Sequence, residues 1–335
     1  MIRIFHHTRY DFIRWWRVMA IVTAAFIALG LGSILVTGGP RYSIEFTSGT
    51  LMQLAFKQPP DVSQLRGAIE QAGIRGAEIT QFGSSREFTV KAQEAEAVLA
   101  GGPAAASGAG AESVARRIQT VLVQRFGAGS FQVVRAEAVG PRVGRELQRG
   151  AIVAILISFC LTLAYLAVRF EWRFGLAAVL ATAHDIVATL AFIKLLHLEI
   201  SLTIIAAILT VIGYSLNDTI IIFDRVRENL RKHKGMPLYD LVNLSVNETL
   251  PRSVMTHATT LGATLALLFF AGDVIRPFAW VMTFGIFTGT FSSIYVASAL
   301  LVWIERKYPR ALPARAAARP AVRTEPRTES PVGAR

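Results

Sequence analysis

A chain of 335 residues is long enough for two soluble domains, yet 53% of its residues are apolar, only 17% are charged, and its mean hydropathy is +0.44. Soluble domains carry roughly 45–50% apolar and about 25% charged residues. The net charge of +12 is spread between long apolar runs, not gathered on one face, so composition points to a bilayer and away from nucleic acid. These values exclude a soluble enzyme, a disordered chain and a disulfide scaffold. The single cysteine, Cys160, lies in an apolar run and reads as a packing residue.

Residues 1–17 carry Arg3, Arg9, Arg14 and Arg17 ahead of an apolar stretch over 18–37. That stretch exceeds the ~7–15 residues of a signal core, and no Ala-x-Ala site follows it, so it reads as a membrane anchor. Residues 38–149 read as a small α+β domain. Strands are predicted at 43–46, 51–56, 77–82, 87–91 and 131–139. A first helix is capped by Asp61, presents Val62, Leu65 and Ile69 on one face, and closes at Gly73. A second, over 112–126, aligns Val114, Ile118, Val121 and Leu122. This order suggests a ferredoxin-like two-layer domain, with a Gly/Ala/Pro loop over 100–111 and no metal cluster or nucleophile–base pair.

Five more stretches, 150–168, 174–196, 200–223, 254–271 and 277–303, reach the roughly 20 apolar residues that a helix needs to cross a bilayer. The fold class is thus an α-helical membrane protein of six transmembrane helices, with the α+β domain between helices 1 and 2. The segment 304–335, Ala/Pro/Arg-rich, reads as a disordered basic tail able to touch anionic lipid. Lys and Arg concentrate before residue 18 and in 169–173, 224–253 and 304–335, while 197–199 has none and 272–276 one. The positive-inside rule therefore places both termini in the cytoplasm and 38–149 outside.

An Asp at mid-helix costs about 2.5–3.5 kcal/mol on insertion scales, so each one needs a partner or a purpose. His184 and Asp185 lie in the third span, Asn217 and Asp218 in the fourth, and Arg252, Thr256 and His257 at the entry to the fifth. An Asp218–Arg252 pair would either switch between a salt bridge and a protonated, separated state, or stand as a static ion pair fixing helix register. Gly285 and Gly289 form a GxxxG, and Ala24, Ala28 and Gly32 recur every four residues; both patterns permit close packing with a neighbour in this chain or another. Lys194 is expected to snorkel to the headgroups.

The run Gly213-Tyr-Ser-Leu-Asn-Asp-Thr-Ile-Ile-Ile-Phe-Asp-Arg-Val-Arg-Glu-Asn229 resembles the signature of the SecF family of bacterial protein-export subunits, within SecD/SecF and the RND superfamily. Glu171-Trp-Arg-Phe, Ala183-His-Asp-Ile, Leu250-Pro-Arg-Ser, Thr259-Thr-Leu and Ser292-Ser-Ile-Tyr-Val-Ala-Ser-Ala299 follow the same family in order. The resemblance covers roughly 40–58 and 140–303. It implies an inner-membrane protein that pairs with SecD, whose six spans complete a pseudo-symmetric unit, and that works with SecYEG, YajC and the translocating preprotein. It implies use of the proton-motive force and no other cofactor. It assigns proton coupling to Asp218 and Arg252, and places the His-Asp pair on His184 and Asp185. The family's Asp-Phe-Thr-Gly-Gly hinge motif stands here as Glu45-Phe46-Thr47-Ser48-Gly49, so Ser48 departs from the pattern. His257 stands where the family more often has a small polar residue; it either joins the proton path or, the preferred reading, hydrogen-bonds a carbonyl.

The expected cycle starts with a proton from outside that neutralises Asp218. The pair with Arg252 then separates, the bundle shifts and the outer domain swings, until release inside resets it. No covalent catalysis is implied. An intramembrane aspartyl protease using Asp185 and Asp218, and a small-molecule RND exporter, are the alternatives.

Overall fold

The computed structural model describes residues 8–74, 76–81, 83–92, 109–272 and 274–309; most of the expected loop at 100–111 and of the tail lies outside them. A 3-10 turn at Ile13–Trp15 leads into α1 (Trp16–Thr37), followed by a single-turn helix α2 (Ile44–Thr47). The small domain then runs β1 (Gly49–Phe56), α3 (Val62–Gln71), β2 (Glu78–Gln81), β3 (Glu87–Ala92), α4 (Ala109–Phe126) and β4 (Phe131–Val139). The bundle continues through α5 (Pro141–Arg169), α6 (Trp172–Leu195), α7 (Leu202–Lys232), α8 (Leu238–Phe270) and α9 (Arg276–Ser292). A π-turn at Ser293–Ala297 joins α9 to α10 (Ser298–Lys307) as one long helix. Among the described residues, six helices are long and apolar enough to cross a membrane.

The sheet order β2-β3-β1-β4 is antiparallel throughout, the β-α-β-β-α-β arrangement of a ferredoxin-like layer. Alternation in β1 and β3 turns Met52, Leu54, Phe56, Phe88 and Val90 inward, against Leu65 and Ile69 of α3 and Ile118 and Leu122 of α4. Asp61 accepts from both the amide and the hydroxyl of Ser63, 2.8 Å each, and these bonds hold its carboxyl below the usual range. Gly73, at φ +79°, closes α3.

The expected strand at 43–46 is instead α2. Ser43 Oγ accepts from the Glu45 amide at 3.2 Å and starts a helical turn, and the Ser48 amide donates to the Ile44 carbonyl at 2.9 Å. With both ends of the segment satisfied locally, no sheet edge is needed.

The basic segment 224–253, between two of the expected spans, is mostly helix. The α7 and α8 helices continue past the apolar stretch and leave only 233–237 as a turn. Glu248 Oε2 joins them, accepting from Arg225 Nε at 2.7 Å and Asn229 Nδ2 at 2.6 Å. Beside this hairpin, the chain ahead of α1 is strapped to α8. Asn247 bonds both backbone groups of Tyr10 (2.9 and 2.8 Å), while Asp11 Oδ1 accepts from Tyr239 Oη and Asn243 Nδ2 (2.7 and 2.8 Å).

Within the bundle, α7 and α9 form the most extensive helix pair, flanked by α6 and α8, with α1 packed on α6. Small residues permit this. A Cβ on Gly285 would run into Val211, and one on Gly289 would sit 3.0 Å from Ser215 Cβ, so the neighbour of the GxxxG is α7 of this chain. In α1 the close approach is at Gly30, against Ala191; nothing lies within 4 Å of a Cβ on Gly32, and Ala24 and Ala28 are exposed. Cys160 is exposed as well, outside the buried core of the bundle. Lys194 does not snorkel outward: it is 8% exposed, and Nζ donates to the carbonyls of Gly38 and Gly39 at 2.7 and 2.9 Å. The chain leaving α1 exposes these carbonyls, and a cation satisfies both at once.

Candidate functional site

Among the described residues, two carboxylates are buried inside the bundle, and their surroundings differ. Asp185 of α6 is 1% exposed. Its Oδ2 accepts from Ser215 Oγ of α7 and from Ser292 Oγ of α9, the latter at 2.6 Å. Its Oδ1 lies 2.9 Å from His184 Nδ1, and His184 Nε2 lies 2.6 Å from Thr23 Oγ1 of α1. The consistent assignment gives His184 its proton on Nδ1 and makes Thr23 the donor to Nε2. Thr23, His184, Asp185, Ser215 and Ser292 thus form one chain of hydrogen bonds through four helices. One turn further, Thr219 Oγ1 and Ser293 Oγ meet at 2.8 Å beside the π-turn. Both oxygens of Asp185 are occupied, so this carboxylate holds helices together.

Asp218 of α7 is 2% exposed and has one occupied oxygen. Oδ1 accepts from Ser253 Oγ of α8 at 2.5 Å, while Oδ2 is buried with no hydrogen-bond partner. His257, one turn beyond Ser253 on α8, is 9% exposed, and its Nδ1 is likewise buried and unpartnered. The carbonyl bond expected of His257 is therefore not made at Nδ1. A buried polar atom without a partner costs about 1–3 kcal/mol, and a carboxylate oxygen left bare can take a proton without displacing any existing bond.

The structure holds no Asp218–Arg252 ion pair among its described residues. Arg252 is exposed, and its neighbour Ser253 turns inward to meet Asp218. The reason is helical phase: residues 252 and 253 point about 100° apart, so both cannot face α7. Asn217 is exposed too, for the same reason. Of the predicted site residues, His184 and Asp185 share one network, Asp218 lies in a second with Ser253, and Asn217 and Arg252 face outward. No hydrogen bond joins Asp185 to Asp218, and each engages its own serines, which leaves a shared-proton protease dyad without support. Thr23, Ser215, Ser253 and Ser292 were not legible as site residues.

The Glu45–Gly49 segment meets the bundle at the start of α7. Glu45 Oε2 accepts from the Leu202 amide at 2.6 Å, capping the helix that carries Asp218. Around it, the Ser43 amide donates to the Ile200 carbonyl (2.9 Å) and the Ile200 amide to that of Arg41 (2.7 Å). Lys91 of β3 pairs with Glu199 at 3.0 Å. The small domain is thus rooted on the head of α7. Phe46 packs against the bundle core, Ser48 holds φ +64°, and Gly49 holds φ +142°. Ser48 Oγ fills the space beside α5, where a Cβ on Gly144 would lie 2.6 Å from it. Gly144→Ala is expected to destabilise the junction by about 1–3 kcal/mol, and adding Ser48→Gly is expected to recover most of that, as measured by thermal unfolding of the pair and each single variant.

The comparisons with known proteins agree with this architecture. The family described as "Protein export membrane protein SecD/SecF, C-terminal" matches residues 118–307, and the "SecD/SecF GG Motif" matches 33–60, the segment that includes Glu45 and Gly49. The "Protein translocase subunit SecF" of Gemmatimonas aurantiaca is 62% identical over 311 residues, covering 92% of this chain and 91% of that protein. The "Protein translocase subunit SecDF" of Thermus thermophilus is 41% identical over 308 residues, which make up 89% of this chain but 39% of that longer protein. The crystal structure of that organism's SecDF, described as a translocon-associated membrane protein, superposes with a TM-score of 0.75 at 40% identity, over 90% of this chain and 39% of that one. The chain belongs to the SecD/SecF family of protein-export membrane proteins.

Proposed function

We propose that this chain is the SecF-type half of a bacterial inner-membrane complex that uses the proton-motive force to drive preprotein translocation and release. The observation that carries the reading is the bare Oδ2 of Asp218, a buried carboxylate oxygen free to gain and lose a proton. Protonation removes the cost of a buried charge, and deprotonation restores it. One charge crossing 100 mV supplies about 2.3 kcal/mol, enough to bias two packings of α7 against α8. Arg252, outside contact, corresponds to the separated arm of the expected cycle.

The partner in this reading is SecD. Ala206, Thr210, Gly213 and Asn217 recur every three or four residues on an exposed face of α7, beside exposed Arg252 and Thr259 of α8. Small and polar residues suit a helix interface better than lipid, where an Arg costs about 2.5–3.5 kcal/mol. SecYEG, YajC and the preprotein complete the assembly. Both termini are cytoplasmic and the small domain is periplasmic in this reading, on the charge asymmetry of the connecting segments.

The test is Asp218→Asn in the assembled complex, reading export of a secretory preprotein with and without an imposed proton gradient. The expected result is loss of the gradient's stimulation, with assembly and gradient-free export kept. Stimulation at the normal level would overturn the reading.

A further inference from the structure

We propose that His257 is a proton-relay residue that loads Asp218 from the side of the small domain. The proposal rests on the reading of Asp218 as the proton-carrying group, and it adds a residue that the family pattern does not supply.

The geometry has three parts. First, Ser253 and His257 are four residues apart on α8, hence on one face and about 6 Å apart along the axis. Since Ser253 Oγ reaches Asp218 at 2.5 Å, the imidazole lies one turn along the same seam. Second, among the described residues five buried side-chain atoms lack a hydrogen-bond partner, on Thr8, Arg173, Asp218, His257 and Thr283, and the two that face each other in charge are Asp218 Oδ2 and His257 Nδ1, in side chains 2% and 9% exposed. Third, the order along the seam is fixed by the ends of the helices. The α7 helix starts under the small domain, where Glu45 caps Leu202, and α8 returns towards that end. His257 therefore lies between Asp218 and the end of the bundle that bears the small domain.

The other groups around His257 do not compete for the proton. Tyr214 of α7 packs its ring 5.4 Å from the imidazole, and its hydroxyl donates to the Thr256 carbonyl at 3.1 Å. Arg252, on the same helix, is exposed. On α9, Arg276 opens the helix and no other charged residue follows; on α10, Glu305, Arg306 and Lys307 lie in the last turns. Asp218 is the one acidic group facing the imidazole from these elements.

The transfer balances. A neutral imidazole accepts one proton arriving from the domain side and becomes imidazolium. The imidazolium then swings to Oδ2 of ionised Asp218, a bond not made in the resting structure, and gives it the Nδ1 proton, leaving a neutral ring and a neutral carboxyl. One proton enters and one is stored, and the two buried atoms without partners are satisfied at that moment. A serine in place of His257 offers no basic nitrogen for this step.

The experiment uses the full complex in liposomes, with gradient-stimulated export read across outer pH for wild type, His257→Ser, His257→Asn, His257→Ala and Asp218→Asn. The serine and asparagine variants are expected to lose stimulation by roughly tenfold or more, the low side of what a positioned acid–base group contributes. The inflection in the neutral range should vanish with it, and free imidazole should restore part of the rate to His257→Ala alone. Wild-type magnitude and pH profile in both polar variants, with Asp218→Asn inactive, would overturn the relay and leave the reading of Asp218 standing. Undiminished stimulation in Asp218→Asn would overturn both. Should the variants fail to copurify with the partner half, nitrogen-15 labelling of histidine in the unaltered complex decides: a ring at position 257 that never protonates between about pH 5 and 8 contradicts the proposal.

Discussion

Replacing Asp185 with alanine is expected to loosen the bundle by roughly 2–5 kcal/mol, taking about 0.6–1.7 kcal/mol for each of three lost bonds inside a membrane. The loss arises because Oδ2 receives Ser215 and Ser292 while Oδ1 faces His184, so one deletion frees groups on α6, α7 and α9 together. His184 would then also hold Thr23 of α1 less firmly. Asp185→Asn should lose much less, since an amide oxygen still accepts from both serines. Detergent-solubilised thermal unfolding, with copurification of the partner half, checks both variants. Equal stability of wild type and Asp185→Ala would show that the network does not hold the helices.

The second large effect is expected at Glu45. Its carboxylate caps α7 through the Leu202 amide, while Ser43, Arg41, Lys91 and Glu199 dock the small domain through separate contacts. Glu45→Ala should therefore leave the domain folded and docked, at a cost of about 1–2 kcal/mol at the helix end. What it should lose is the direct tie between a shift of α7 and the root of the domain. We expect gradient-stimulated export to fall several-fold, with Glu45→Gln intermediate because it keeps an acceptor without the charge. The export assay with the assembled complex measures this. Full stimulation in Glu45→Ala would mean that motion reaches the domain by another route, such as α5 through Gly144 and Ser48.

The structure recasts the Glu45–Gly49 segment accordingly. Glu45 caps α7 through the Leu202 amide, and the unusual backbone belongs to Ser48 and Gly49, at φ +64° and +142°. A serine at φ +64° and ψ 151°, a region almost reserved for glycine, is strained by about 1–3 kcal/mol. Its side chain is accommodated because α5 offers Gly144 opposite it.

Much of the fold was legible because its signals are strong. Six apolar runs leave few alternatives in water, and the alternation in β1 and β3 with the periodicity of α3 and α4 defined the small domain. The extensions of α7 and α8 were hidden by their composition. The charged segment 224–253 falls outside the apolar spans, although Leu241, Val242, Val246 and Thr249 within it are buried on one helical face. At 43–46 a serine cap outweighed a short apolar pattern that suggested a strand.

The site was legible in its charges and not in its partners. Asp185 and Asp218 stand out because a carboxylate within an apolar run is rare. Serines and threonines in such helices usually bond the carbonyl four residues back, as Thr182, Thr189 and Thr210 do here. Nothing in spacing distinguishes these from Ser215, Ser253 and Ser292, which reach across to carboxylates. The Asp218–Arg252 pair rests on charge and on the family resemblance, neither of which carries the phase of α8, and that phase turns Ser253 inward instead.

In the proposed cycle Asp218, with its bare Oδ2, exchanges a proton, while Asp185 keeps both oxygens in hydrogen bonds. The most direct measurement is infrared difference spectroscopy of the assembled complex after a pH jump on the side of the small domain, following the carbonyl stretch of protonated carboxyl groups. We predict a band that appears with the jump, is absent from Asp218→Asn and persists in Asp185→Asn. A band that survives in Asp218→Asn and disappears in Asp185→Asn would assign the exchanged proton to Asp185 and rule out Asp218 as its carrier.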